Sequence, residues 1–316
     1  MRIVRSFVAG LEKVVQFPSL IAWLYLTSVL LTVPLALSMR TLLKDSLGSS
    51  LVHENLRQGF DMDWYGEFSS GGAGLADSFG PSVVGSLPIL SNLEKLIDGE
   101  ILQADRTILL AGLLFLLAWA FFAGGILDRY AHPDEPPTRA RFFSQNGEYF
   151  FRFVRLLIIS LLFYWGIFRW VANPLHDWLE DATRDVTQEK TDILFTLLVY
   201  ALEAFLLLLV SLVLDYAKIA LVVERRRSAL LACLRGARFV LAHPGSALGL
   251  YLLLAAVGLL LVWLYSLVAP GPGQSGTTTI LLAFLVGQIY LIARLGLKLW
   301  FLAGQTALFQ AADRHR

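Results

Sequence analysis

Apolar residues along this chain come in long runs, and the stretches between them collect the charge. Six runs reach the ~18–20 residues that a helix needs to cross ~30 Å of hydrocarbon. They lie at about 18–38, 107–127, 153–172, 192–214, 246–268 and 278–300. The fourth is expected to continue as helix to Glu224, and the sixth to carry a helical tail. The run from Ser19 to Leu37 is longer than the 7–15 apolar residues of a secretory signal core, so it reads as an uncleaved first span. The pattern predicts an all-α polytopic membrane protein with one six-helix membrane domain over residues 1–316.

Composition agrees. Of the residues 56% are apolar and 16% charged, and the mean hydropathy is +0.63. A soluble domain of this length rarely has that balance. The net charge of +1 carries no information about nucleic acid, and none is expected as a partner. The distribution of charge is more telling. Arg2, Arg5 and Lys13 precede the first run. Arg129, Arg139, Arg141 and Arg152 fall in the 128–152 connection. Lys218, Arg225, Arg226, Arg227, Arg235 and Arg238 fall in 215–245, and Arg294, Lys298, Arg314 and Arg316 close the chain. By contrast, 39–106 holds five basic and ten acidic residues, 173–191 only Arg184 and Lys190, and 269–277 no basic residue. Lys and Arg flank spans on the cytoplasmic side, so the alternation predicts that both termini are cytoplasmic. Trp170, Trp178, Trp263 and Tyr265 lie near the outer ends of spans, where amphipathic rings prefer to sit.

The long 39–106 connection carries its own pattern. Leu43, Leu47 and Leu51 form a helical stripe. In "SNLEKLIDGEIL" Ser91 and Glu94 have capping-box spacing ahead of Leu96, Ile97 and Ile101. Two amphipathic helices joined by a flexible glycine-rich tip are expected on the outer face. They would form either a cap over the bundle or a docking surface centred on Asp61, Asp63, Trp64 and Tyr65.

Segment 225–243 predicts a basic amphipathic helix on the inner leaflet, an elbow between spans four and five. Leu230, Leu234 and Leu241 lie near one face and Arg227, Arg235 and Arg238 on another. Pro244-Gly245 ends it and starts span five, where Gly245 and Gly249 would permit close helix contact.

Candidate chemistry is sparse. There is no HExxH, Gly-x-Ser-x-Gly, phosphate-binding loop or paired-cysteine spacing, and no cofactor, metal or enzymatic activity is expected. His132 in "HPDEPP" reads as part of an exposed turn, and the single cysteine, Cys233, as a small apolar filler. Glu203 is the sharpest residue, because a carboxyl near the midplane of a span is costly to charge. It should face the bundle or a wet cavity. Gln288, Tyr164, Thr27 and Ser28 are expected at similar depth, giving a polar layer that is either interhelical glue or a proton, ion or headgroup site. Nearer the cytoplasmic ends, Asp215, Lys218, Arg294 and Lys298 predict an Asp215–Arg294 or Asp215–Lys218 pair, or a site for anionic lipid.

The segments "DYAKIALVVE" and "RRSALLACLRGARFVLAHPGSALGLYLLL", with "GGILDRYA" and "FFSQNGEYFFRFVRLL", resemble a family of uncharacterised bacterial six-span inner-membrane proteins. More distantly they are similar to the membrane domain attached to some glycerophosphodiester phosphodiesterases. The catalytic barrel of those enzymes is absent, so the resemblance implies the six-span fold and a bacterial inner membrane but no reaction. The functional expectation is a non-enzymatic accessory or scaffolding subunit. It would bind membrane lipids, anionic at the cytoplasmic face, and other membrane proteins or a second copy of itself. The alternative is a small transporter or channel for an apolar or lipid-like molecule, built around Glu203.

Overall fold

The computed structural model describes residues 2–48, 61–71, 75, 106–136, 138–184, 189–269 and 276–313. These residues are helical with no strand among them. The helices are α1 (Arg2–Gln16), α2 (Pro18–Leu47), α3 (Met62–Gly71), α4 (Arg106–Ala131), α5 (Arg139–Ile167), α6 (Asn173–Thr183), α7 (Glu189–Val223), α8 (Ala229–Ala242), α9 (Pro244–Val268) and α10 (Thr277–Asp313). A π-helical turn, Phe168–Ala172, joins α5 to α6. Six helical stretches are long and apolar enough to cross a membrane, α5, the π-turn and α6 counting as one.

Their boundaries follow local chemistry. Proline opens α2 and α9, where its missing N–H is no loss. Thr138 and Ser228 cap α5 and α8 by accepting from the backbone N–H of Arg141 and Leu231. Two differences from expectation concern length. The first span runs on as helix to Leu47, taking in Leu43 and Leu47, while Leu51 and "SNLEKLIDGEIL" lie outside the described residues. The third does not end at Ala172, because the π-turn absorbs one extra residue and lets the helix continue to Thr183. The predicted flexible tip is helical at 62–71. There Asp61 Oδ1 accepts from the N–H groups of Asp63 and Trp64, both at 3.0 Å.

The chain packs into two compact units. One comprises Met1–Lys13, Ala120–Leu253 and Trp300–Arg316, the other Val14–Trp119 and Leu254–Leu299. The first holds most of the buried side chains. Tyr216, Phe239 and Phe309 cluster there, with ring centroids 4.5 and 4.9 Å apart across Phe239. Close backbone approach makes this possible. A Cβ on Gly236 would lie 2.5 Å from the Val213 carbonyl and 2.7 Å from Ala217 N, so α8 lies directly on α7. A Cβ on Gly10 would meet Gly304 N at 2.7 Å, bringing α1 against α10. Gly249 likewise leaves room for Ile3, whereas Gly245 faces open space and plays no such part. The orphan carbonyls that end α4 are met by side chains. Lys13 Nζ donates to Tyr130 O at 2.6 Å and Gln310 Nε2 to Ala131 O at 2.8 Å.

In the second unit Tyr25 donates to Gln288 Oε1 at 2.8 Å. Tyr265 stacks on Tyr290 at 4.2 Å. Leucines of the spans, such as Leu259 and Leu281, are exposed, as side chains facing lipid are.

The Gly236 contact gives a direct test. Gly236→Ala should destabilise the purified protein by about 1–3 kcal/mol through overpacking. Gly147→Ala, at a helical position with nothing within 4 Å, should be neutral or stabilising by up to ~1 kcal/mol. Thermal unfolding of the two variants in the same detergent checks both signs.

Candidate functional site

Charged groups gather where α7 ends and α8 begins. The chain closes α7 with backbone bonds from Arg225 N to Val222 O at 3.1 Å and from Arg226 N to Leu221 O at 3.0 Å. This closure puts Arg225 in the left-handed region, φ 49°. Glycine usually takes that place, and a β-carbon there costs roughly 1–2 kcal/mol. The turn aims Arg226 inward onto Glu224 Oε2, while Arg235 Nε of α8 meets Oε1 at 2.6 Å. Burial works to raise the pKa of Glu224, but hydrogen bonds from Arg235 and Arg226 outweigh it and hold the carboxyl below its usual range. Arg235 also lies over the Phe309 ring, 5.3 Å from its centroid.

This corrects the expected basic face. Arg227 precedes α8, Arg235 is turned inward, and Arg238 stays exposed on the helix. The other face of α8 is more telling. Ala232, Gly236 and Phe239 are buried, while Leu230, Leu231, Leu234 and Leu241 are exposed, Leu241 at 80%. Burial pushes the Cys233 thiol up, which suits a packing role.

About two and a half helical turns before Glu224, Asp215 bonds to Lys218 at 2.8 Å and accepts from Gln305 at 3.3 Å. Of the two partners foreseen for Asp215, Lys218 is the one it takes. Arg294 makes no hydrogen bond or ion pair among the described residues. Lys298 sits 3.5 Å from the ring centroid of Trp119, in a cation–π contact. The four residues foreseen as one cluster therefore resolve into separate arrangements.

The predicted polar layer resolves in the same way. Glu203 is 2% exposed, and its partner is His176 of α6, whose Nε2 lies 2.8 Å from Oε1 but off the line of a hydrogen bond. Oε2 has no partner. The His176 ring meets Tyr200 edge-on at 5.3 Å. Because α7 starts at Glu189, Glu203 lies about 21 Å along it, beside a helix that was expected to be loop. Tyr164 faces Ser211, Gln288 takes Tyr25, and Ser28 and Thr27 bond back to Leu24 and Trp23 of their own helix.

Asp128, 5% exposed, is a third centre. It accepts from Arg141 Nε and Nη2 at 3.1 and 2.9 Å and lies 3.0 Å from His132 Nδ1. Arg141 also pairs with Glu135, and Arg129 donates to the Glu135 carbonyl. The hairpin between α4 and α5 is thereby locked, with Asn146 Oδ1 accepting from Gly125 N. No group of three His, Cys, Asp or Glu suited to a metal occurs among the described residues. In α3 the foreseen docking centre is only partly available. Trp64 is buried, stacks on Phe68 and donates to Ser46 Oγ at 3.1 Å, and Asp61 is used as the cap. Asp63 is exposed and Tyr65 half-buried.

Finally, a cleft of about 510 Å³ lies between α5 and the start of α8, lined in part by Arg155 and Arg227. His176, Gln305, Tyr25 and Arg155 were not foreseen. A buried carboxylate demands a partner, and that demand is the one signal that could have directed attention to His176.

No protein-family model, curated protein or solved structure matches the chain.

The Glu224 clasp carries a pH dependence with a definite sign. Its folded pKa is depressed, so its stabilisation is present above the unfolded value of about 4.3 and is lost as pH falls through the folded value. Glu224→Gln should lower the melting temperature at pH 7 by roughly 2–4 °C. The gap from wild type should close at pH values below about 4.

Proposed function

We propose that the chain is a non-enzymatic module of a bacterial inner membrane, with both termini cytoplasmic, that serves as an accessory or scaffolding subunit binding lipids and protein partners. The observation that carries this reading is the two-faced elbow helix α8. At 14 residues it is too short to span a bilayer. One face is buried against α7 and the other offers exposed leucines beside Arg227 and Arg238. A helix of that kind lies in an interface, its apolar side chains among acyl chains and its cations at anionic headgroups. The clustering of basic residues at this elbow, at the α4–α5 hairpin and toward both chain ends supports the orientation. In this orientation α3 lies on the outer face, where Asp63 is the exposed residue of the foreseen docking centre.

A second reading is a small transporter or channel for an apolar or lipid-like molecule. Glu203 favours it, being buried in an apolar helix with one oxygen unpartnered and the other facing a partly exposed histidine.

Purification in mild detergent should yield the chain with co-purifying anionic lipid or a protein partner, read by native mass spectrometry. A single lipid-free monomer would sink the first reading. Glu203→Gln separates the two. The module keeps its expression level, its partners and its cellular phenotype, whereas a transporter loses its phenotype at normal expression.

A further inference from the structure

We propose that the cleft between α5 and the first turn of α8 holds the phosphate of an anionic phospholipid, a site that rests on the lipid-binding reading above. The cleft measures about 510 Å³, within the range of small-molecule sites. Arg155 of α5 and Arg227 of the turn before α8 line it with Ser228, and Ile158, Ile159 and Leu230 supply an aliphatic wall. No acidic residue is among the described residues that line it.

Several neighbouring cations are already matched by the protein, while Arg225 and Arg238 are exposed and lie outside the cleft lining. Arg226 and Arg235 are taken by Glu224, Arg141 by Asp128 and Glu135, Arg152 by Glu148, and Lys218 by Asp215. Arg155 and Arg227 are exposed and make no hydrogen bond or ion pair among the described residues. Two arginines from different elements therefore line one cleft whose described lining holds no carboxylate. Guanidinium is the side chain best shaped to hold phosphate oxygens in pairs.

The aliphatic wall selects the source of the phosphate. Arg155 stands immediately before the apolar stretch 156–163, and Ile158 is 52% exposed. A phosphate at the arginines leaves acyl chains to run along Ile158, Ile159 and Leu230. That is the order, headgroup then tail, in which a phospholipid presents itself at the edge of the hydrocarbon. A free phosphate ion would use the arginines and leave the wall bare.

The test titrates the detergent-purified full-length protein with phosphatidylglycerol, with phosphatidylcholine and with inorganic phosphate, counting retained lipid by native mass spectrometry. Wild type should prefer phosphatidylglycerol by about tenfold or more. Arg155→Gln with Arg227→Gln should abolish the preference, and Arg139→Gln, at an exposed position of α5 outside the cleft, should keep it. Leu230→Trp narrows the cleft from an exposed position with both arginines intact, and should weaken binding even if the double variant fails to fold. Absence of preference in wild type would overturn the proposal, as would its persistence in the cleft variants. Equal loss in Arg139→Gln would overturn the cleft in favour of diffuse surface charge. Displacement of the lipid by equimolar phosphate would make it a free-anion site. Anionic lipid retained equally by wild type and cleft variants sinks the cleft alone, whereas a wild-type chain with neither lipid nor partner sinks the broader reading too.

Discussion

Where α7 ends, Glu224 receives guanidinium groups from both sides of the turn: Arg226 directly after it and Arg235 from within α8. A carboxylate in a half-buried place needs such neutralisation, since removing one partner of a buried pair leaves an uncompensated charge. The pairing fixes more than a charge. It holds α8 folded back along α7, so that Gly236 can meet the Val213 carbonyl and Phe239 can enter the aromatic cluster with Tyr216 and Phe309. The exposed leucines of α8 owe their outward direction to the same constraint.

Matched carboxylates recur through this unit. Asp128 takes Arg141 and His132, Asp215 takes Lys218 and Gln305, and Glu203 faces His176. Acidic groups in and beside the apolar helices thus act as anchors that choose which cations turn inward. The cations left over are then meaningful by position rather than by number, which is why Arg227 differs from Arg226 directly beside it.

The six apolar helices were legible because hydrocarbon imposes a length and a composition that no other environment requires. The elbow helix was legible from Pro244-Gly245, which ends it, and from its leucine spacing, whereas its start lies at Ala229 behind the Ser228 cap rather than at 225. The direction of individual charges was not. Periodicity placed Arg235 with Arg227 and Arg238, but an ion pair with Glu224 outside the helix decides where its side chain goes. Glu203 stood out as a lone carboxyl, yet its partner lay in a stretch too polar to read as part of a span. Nothing in the composition of "FRWVA" announces a π-turn, and that turn is what carries His176 alongside α7. Trp64 misled for a related reason. An acidic-aromatic cluster beside glycines looks like an exposed tip, whereas here the indole is buried by its bond to Ser46.

The first helix of the chain bears on how the molecule is made. Trp300 donates to the carbonyl of Phe7 at 2.8 Å, and Gly10 lies against Gly304. The Trp300–Phe7 bond joins residues 293 positions apart, so closing it carries the entropy of a long loop. Lys13 also reaches the Tyr130 carbonyl of α4 and Ile3 lies against Gly249 of α9, so α1 rests on three helices together. The docking of α1 therefore marks completed assembly of this unit rather than its start.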